Sequence, residues 1–171
     1  MSAVEPETER LICRRPQPSD SADYQRLFTE PEVEQWLRPP PMKSFEPTDF
    51  ERMLARDRSH WQTHGFGPWC LMDRQSGEFI GRGGLNWTRV EGQDMVEFPW
   101  AVHHRFQGQG YATEEARAAI ETAREAGLGR VVSLTLPENR ASRRVMEKIG
   151  LIQASEVTHA GLAHTLYVLD L

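Results

Sequence analysis

Residues 105–116 read RFQGQGYATEEA and place two closely spaced glycines directly before a helix-like segment. Gly108 and Gly110 follow an apolar run typical of a strand, and the residues from Tyr111 onward have helical apolar spacing. The backbone amides of such a turn and the positive end of the helix dipole converge on one point, which suits a phosphate group. The stretch therefore predicts a phosphate-binding turn, and the simpler alternative is a tight helix-entry turn.

The spacing of the glycines argues against two common phosphate sites. A P-loop requires a lysine followed by serine or threonine after the glycines, and no such pair follows Gly110. In the dinucleotide fingerprint a third glycine would stand at Thr113, and the preceding strands form a predicted meander and no βαβ unit. The turn therefore belongs to neither class.

Composition limits the function classes. The chain has 171 residues, 39% hydrophobic and 26% charged, which predicts one soluble domain over 1–171 with a loose tail at 1–8. A formal net charge of -5 gives no general affinity for nucleic acid or for an anionic membrane. Cys13 and Cys70 match no metal or redox spacing, so no metal is expected and both read as free thiols. The polar N-terminus has no signal core, which favours a cytoplasmic location.

The apolar periodicity predicts strands and helices in an α+β order. Strands are expected at 10–14, 68–73, 79–88, 94–102, 130–136 and on both sides of a turn at 159–161; helices are expected at 22–37 with a break at Pro31, from Thr48 to about His64, at 111–126 and from Asn139 to Gly150. The proline-rich segment 38–47 is a candidate lid over a substrate.

The sequence resembles the GNAT superfamily of acetyl-CoA-dependent N-acetyltransferases, in particular the branch that includes the ribosomal-protein N-terminal acetyltransferases. Four stretches carry the resemblance in order over nearly the whole chain: TERLICRRPQPSD, GEFIGRGGL, VEFPWAVHHRFQGQGYATEEA with its RxxGxG spacing, and LPENRASRRVMEKIGL. The resemblance implies a mixed, mostly antiparallel sheet of about seven strands, splayed in the middle and flanked by helices.

The resemblance also implies acetyl-CoA as co-substrate. Its pyrophosphate is expected on the backbone amides of residues 107–112, with the Thr113 hydroxyl added, and its pantetheine arm along the main chain at 100–102, where the strand at 130–136 should splay away. Asn139 matches the family's cofactor contact and Ser142 its position near the sulfur. The expected cofactor-binding residues are Trp100, Ala101, Val102, Arg105, Gln107, Gly108, Gln109, Gly110, Tyr111, Ala112, Thr113, Asn139 and Ser142.

The chemistry requires a base, because an attacking amine must be neutral and its pKa is ~8 for an α-amino group or ~10.4 for lysine. Glu97 matches the family's acidic strand position and is the candidate base, directly or through water; alternatively it is the solvent-facing residue of an alternating strand. The amide of Trp100 is the candidate donor to the oxyanion, and Ser142 or a water is the candidate proton donor to the thiolate.

The predicted function is direct acetyl transfer from acetyl-CoA to a primary amine, either a protein N-terminus or a small amine. Pro99 stands where the branch usually has glycine, and because it cannot donate a ladder hydrogen bond we expect a strand edge or a bulge there. The tyrosine acid of other branches is missing from 139–148. These departures leave open a catalytically silent acyl-CoA-binding sensor or interaction module. Trp36 and Trp87 are candidates for the acceptor pocket, and dimers are common among proteins of this resemblance.

Overall fold

A computed structural model describes residues 5–171. The strands are β1 (Leu11–Arg14), β2 (Pro68–Asp73), β3 (Phe79–Gly84), β4 (Asn86–Val90), β5 (Gln93–Glu97), β6 (Ala101–Val102), β7 (Arg130–Thr135), β8 (Ile152–His159) and β9 (Leu162–Asp170). The helices are α1 (Ser21–Phe28), α2 (Pro31–Leu37), α3 (Pro47–His64), α4 (Tyr111–Glu125) and α5 (Arg140–Lys148), and short 3-10 turns lie at Pro18–Asp20 and His104–Phe106. Within the described range, no helix combines the length and apolar character needed to cross a membrane.

The strands form a four-stranded sheet, β1-β2-β3-β6, and a five-stranded sheet, β4-β5-β7-β9-β8. Every pairing is antiparallel except that of β5 with β7. The α+β class with a mixed, mostly antiparallel, splayed sheet is confirmed, although the described residues form nine strands where about seven were expected.

The strand expected at 79–88 is wrong as a single element, because the chain changes sheets in its middle. Gly84 ends β3 with φ of 96°, a conformation that favours glycine. A Cβ there would lie 2.6 Å from the Gly67 carbonyl oxygen, so only glycine allows this close approach. Two residues later Asn86 begins β4, in the other sheet.

The strand expected at 94–102 is likewise two strands, separated by Phe98–Trp100. Pro99 has no N–H for a ladder hydrogen bond, so the predicted irregularity at this residue is confirmed. At the break the Phe98 amide donates to Val132 O at 3.0 Å, and the Ser133 hydroxyl donates to Phe98 O at 3.2 Å. Beyond this point β6 continues with β3 while β7 continues with β9, which opens the sheet between β6 and β7.

Helix α4 packs closely on the first sheet because its inner face is built from small residues. Ala116, Ala119 and Ala123 are fully buried, and the latter two belong to the main core with Trp69 and Ile80. Small side chains let the helix axis approach the strands and bring the N-terminus of α4 to the opening between the sheets.

Helices α1 and α3 cover the other face of the first sheet around a buried ion pair. Arg82 on β3 donates to both carboxylate oxygens of Asp57 on α3, at 2.6 and 2.8 Å, and the Tyr24 hydroxyl donates to Asp57 at 2.8 Å. All three side chains are buried, so removing either charge would leave the other unpaired in the core.

The N-terminal segment is ordered further toward its start than expected. Residues 1–4 of the expected loose tail lie outside the described residues, whereas 5–8 contact the fold: Pro6 O accepts from the Cys13 amide at 2.9 Å and the Thr8 hydroxyl donates to Glu114. Residues 5–8 are therefore not a loose tail.

A buried carboxyl lies between α4 and β3. Glu115 is 0% exposed; one carboxyl oxygen accepts from the Gly84 amide, and the other has no hydrogen-bond partner within residues 5–171. A Cβ at Gly83 would overlap this carboxyl, so the glycine makes room for it. Burial raises the pKa of Glu115 to about 8.

We expect Glu115 to make folding stability depend on pH. Because its pKa is 4.5 ordinarily and about 8 when folded, the folded state holds a proton that the unfolded chain releases, and stability falls as the pH rises between these values. Glu115→Gln, neutral at every pH, should match the natural protein at pH 5 and be about 1–3 kcal/mol more stable at pH 8 in urea denaturation.

Glu114, the residue before Glu115, provides the control substitution. Glu114 accepts hydrogen bonds from Thr8 and from Arg10, which also pairs with it as an ion. Glu114→Gln should therefore lower stability at pH 8. An equal gain for Glu115→Gln at pH 5 and pH 8 would contradict the assignment.

Candidate functional site

The opening between β6 and β7 forms a cleft of about 610 Å³. Five parts of the chain line it: α2, the break after β5 with β6, the turn that enters α4, β7 with α5, and the β8–β9 hairpin. The lining residues are Glu32, Val33, Trp36, Leu37, Glu97, Pro99, Trp100, Ala101, Val102, Phe106, Gln107, Gly108, Gly110, Tyr111, Ala112, Thr113, Ser133, Leu134, Thr135, Asn139, Ala141, Ser142, Arg144, Val145, Lys148, His159, Ala160, Leu162 and His164.

One end of the cleft is built for an anion. Gly108 and Gly110 have φ of 72° and 88°, so the turn needs glycine at both positions. Within residues 5–171, the amides of residues 108–110 donate to no acceptor, and the first turn of α4 adds further free amides. Arg144 and Lys148 on α5 line the same cleft. These donors and cations together can hold a phosphate.

Most of the predicted cofactor residues line this cleft, but Arg105 and Gln109 do not. The Arg105 guanidinium pairs with Glu78 and lies over the Phe106 ring at 4.7 Å, while the Gln109 side chain donates to Arg105 O at 2.8 Å. Arg105 of the RxxGxG pattern therefore supports the turn from outside the cleft. Arg144 on α5, by contrast, lines the cleft.

The main chain at β6 presents one strand edge to the cleft. Its other edge pairs with β3, through Gly81 with Val102 and Arg82 with Ala101. The Gln107 side chain donates to Val102 O at 3.0 Å and fixes the turn to the end of β6. An extended ligand can add to the open edge as a further strand.

Glu97 lies at the end of β5, where the pairing with β7 stops. Its side chain is half-buried and lines the cleft, so it does not simply face solvent. Burial raises the pKa of Glu97, and the positive charges of His159 and Arg82 act in the opposite direction. A carboxyl with a raised pKa beside a reaction cleft is a better base than an ordinary surface glutamate.

Asn139 and Ser142 meet at the start of α5. The Asn139 side chain accepts from the Ser142 amide at 3.1 Å, as expected of a helix N-cap. Both residues line the cleft, and the half-buried Ser142 leaves its hydroxyl available there. The cap therefore also positions the serine.

Two elements close the other end of the cleft. Glu30, directly before α2, accepts from the His104 amide at 2.8 Å and contacts His103 Nδ1 at 2.7 Å, which fixes α2 beside the end of β6. The β8–β9 hairpin bends toward β4, where the Thr158 amide donates to Glu91 at 3.0 Å. Side chains of both elements line the cleft together with Glu97.

Glu32, His159 and His164 also line the cleft, although the sequence did not indicate a role for them. Glu32 shares a helix face with Trp36 four residues later, a spacing that would have paired it with the expected acceptor residue. The two histidines lie on either side of the hairpin turn, and their ring centroids are 5.6 Å apart. Because they are distant from Glu97 in sequence, their place in the cleft could not be predicted from the sequence.

Other candidates lie elsewhere. Trp87 is 42% exposed on β4, beside His64, and does not line the cleft. No residue of the proline-rich segment lines it either, and Arg38 ties that segment down through Lys43 O and Ser44 O. Over the described part of the chain, no group of three or more histidine, cysteine, aspartate or glutamate residues is arranged to hold a metal.

Comparison with known proteins supports the family resemblance seen in the sequence. The family profile described as "Acetyltransferase (GNAT) domain" matches residues 10–152. YkkB, an uncharacterized protein of Bacillus subtilis, is 30% identical over 151 residues, which cover 84% of this chain and 83% of YkkB.

Solved structures share the fold. An acetyltransferase from Agrobacterium tumefaciens superposes with a TM-score of 0.84 at 25% identity, covering 100% of this chain and 96% of its own. The ribosomal-protein-S5-alanine acetyltransferase from Vibrio fischeri has a TM-score of 0.73 at 18% identity (98% and 96% covered). YncA from Salmonella typhimurium, solved with its cofactor acetyl-CoA, has a TM-score of 0.70 at 20% identity (94% and 93% covered). With a splayed sheet, a glycine turn at the N-terminus of α4 and a family profile over most of its length, the chain belongs to the GNAT acetyltransferase family.

Proposed function

We propose that the protein transfers the acetyl group of acetyl-CoA directly to a primary amine. The observation that carries the proposal is the single cleft that joins free turn amides and two α5 cations at one end to a half-buried glutamate at the other. Family membership supports acetyl transfer in general, and the neighbour solved with acetyl-CoA supports this donor.

The residues of the cleft fit acetyl-CoA, which supplies a thioester carbonyl activated toward amines. The amides of 108–112 and the Thr113 hydroxyl receive the pyrophosphate, and Arg144 and Lys148 neutralise its charge. The open edge of β6 at Ala101 and Val102 pairs with the pantetheine arm. This arrangement directs the thioester toward the break at Phe98–Trp100.

Glu97 removes the proton that makes the amine unreactive. A cationic ammonium has no lone pair, so a proton must pass to the Glu97 carboxylate, directly or through a water. Because burial raises the pKa of Glu97, its carboxylate accepts that proton more readily than an ordinary glutamate would. The neutral nitrogen then forms the N–C bond as the C–S bond breaks.

Two groups of the cleft handle the remaining charges. The Trp100 amide donates to no acceptor within residues 5–171 and is placed to donate to the acyl oxygen as negative charge builds there. The Ser142 hydroxyl, or a water beside it, gives a proton to the departing sulfur and regains one from the acylated nitrogen, which loses its second proton as the amide forms. The first proton leaves Glu97 for solvent. The buried Cys13 and Cys70, whose pKa values burial raises, do not line the cleft, so no covalent enzyme step is assigned.

Substitution of Glu97 tests the base. In a CoA-release assay with acetyl-CoA and a panel of small amines and short peptides, Glu97→Gln should lower kcat by about 100-fold, and Ser142→Ala should lower it less. In the natural protein kcat/KM should fall as the pH drops through the raised pKa of Glu97, because the base becomes protonated, and this limb should be absent in Glu97→Gln.

Cofactor binding separates the alternatives. The dissociation constant for acetyl-CoA, measured by calorimetry, should change little in Glu97→Gln. Tight binding of acetyl-CoA without acceleration by any amine would instead favour the acyl-CoA sensor, and absence of binding would contradict the assignment of the turn.

The phosphate end is tested by two arginines on one helix. Arg144 lines the cleft, whereas Arg140 at the start of α5 is exposed and does not. Arg144→Gln should weaken CoA binding roughly three- to tenfold and reduce its dependence on salt, because a charge-assisted contact to phosphate is lost. Arg140→Gln should leave both quantities unchanged. Equal effects of the two substitutions would show a general charge effect only.

The cytoplasmic location, the homodimer and the lack of affinity for nucleic acid and membranes stay predictions.

A further inference from the structure

The charged side chains of the cleft are separated by sign. Among the described residues, four arginine, lysine or glutamate side chains line it: Arg144 and Lys148 on α5, and Glu32 and Glu97 on α2 and β5. Both cations lie on α5, and Lys148 also lines a second pocket with Gly110 and Thr113, at the turn assigned to the phosphates. The two carboxyls therefore remain for the acceptor.

Glu32 is not used by the fold. Its side chain is half-buried on the cleft wall, and within residues 5–171 its carboxylate has no hydrogen-bond or ion-pair partner. The neighbouring Glu34 by contrast accepts from the Phe45 amide at 2.8 Å and holds the following loop. A half-buried carboxylate without a partner is suited to a cationic ligand.

Within residues 5–171, neither of the two arginines whose charge reaches Glu97 is available to receive a carboxylate. Arg82 donates to both oxygens of Asp57 and is buried, and Arg56, whose charge reaches Glu97 from α3, does not line the cleft. His159 and His164 are the remaining titratable groups there, and burial lowers the pKa of His164, which favours its neutral form.

The walls around these carboxyls are apolar and partly aromatic. Trp36 and Leu37 lie at the C-terminal end of α2, Pro99 lies in the strand break, and Leu162 begins β9; all four line the cleft. Leu37 is 42% exposed, so a flat apolar group that packs against it would remove apolar surface of Leu37 from water. The Trp36 ring also suits a cation.

We infer that the acceptor is a cationic primary amine that carries a flat apolar group and no carboxylate beside the nitrogen. The inference rests on the proposed function and deepens it. Free amino acids should be poor acceptors. Their carboxylate would enter the part of the cleft lined by Glu32 and Glu97, where it would be repelled and would lose its hydration without gaining a partner. An aralkylamine and a peptide N-terminus with an apolar first residue share the required chemistry.

The test compares acceptors that differ by one group at pH 8. The probes are phenethylamine, phenylalanine, phenylalaninamide, ethanolamine and a tetrapeptide amide beginning with phenylalanine. Acetylation by the natural protein is measured as kcat/KM, and binding to the CoA-saturated protein is measured by calorimetry. We expect phenethylamine and phenylalaninamide to exceed phenylalanine at least about tenfold in both quantities, because one unpaired charge decides between them. Ethanolamine should be weak, since it lacks the apolar group.

Variants of Glu32 assign the effect to this residue. Glu32→Gln should reduce the preference for phenethylamine over phenylalanine about threefold to tenfold, mainly through KM, and Glu32→Arg should reverse part of it by accepting the carboxylate. Glu51→Gln, an exposed carboxyl on α3 outside the cleft, should leave the preference unchanged.

The outcomes separate the inference from the proposed function. Equal use of phenylalanine and phenethylamine, an unchanged preference in Glu32→Arg, or no binding of any probe overturns the inference. Binding in the expected order without acetyl transfer supports the inference and contradicts the proposed function. The tetrapeptide distinguishes the two sources of the amine: its use at the level of phenylalaninamide indicates a peptide N-terminus, and its exclusion indicates a small aralkylamine.

Discussion

The site depends on where the hydrogen bonds between β5 and β7 end. The last contacts are the Phe98 amide on Val132 O and the Ser133 hydroxyl on Phe98 O, and the next amide that would face β7, that of Trp100, donates to no acceptor within residues 5–171. A regular sheet would bury both strand edges against each other. Because the pairing stops here, the edge of β6 stays open, and the cleft that lies on it brings Glu97 and the α4 turn into one space.

The sequence predicted those parts of this arrangement that depend on local chemistry. Gly108 and Gly110 indicated a turn with positive φ before a helix, Asn139 indicated an N-cap, and Pro99 indicated an irregular strand, and all three are present. In each case a residue type restricts its own backbone or a hydrogen bond within four residues. Such restrictions are visible in a single sequence.

The parts that escaped prediction depend on contacts distant in the chain. The change of sheet at Gly84 depends on the carbonyl of Gly67, and the ordered residues 5–8 depend on α4 and β1. Arg105 shows the same limit, because its RxxGxG spacing gives no information about Glu78, which its guanidinium contacts. Glu32 and the hairpin histidines reach the cleft only through α2 and the bend of β8–β9, which periodicity does not encode.

The two carboxyls of the acceptor end meet opposing requirements of the proposed reaction. Negative charge concentrates a cationic amine but also stabilises its protonated form, which cannot attack. A base of ordinary pKa would bind the ammonium without deprotonating it. Burial of Glu97 raises its pKa toward that of the amine, while in the proposed reaction Glu32, which lies on α2, supplies charge for binding. Dividing attraction and proton removal between two carboxyls allows one acidic cleft to hold a cation and to release it as a nucleophile.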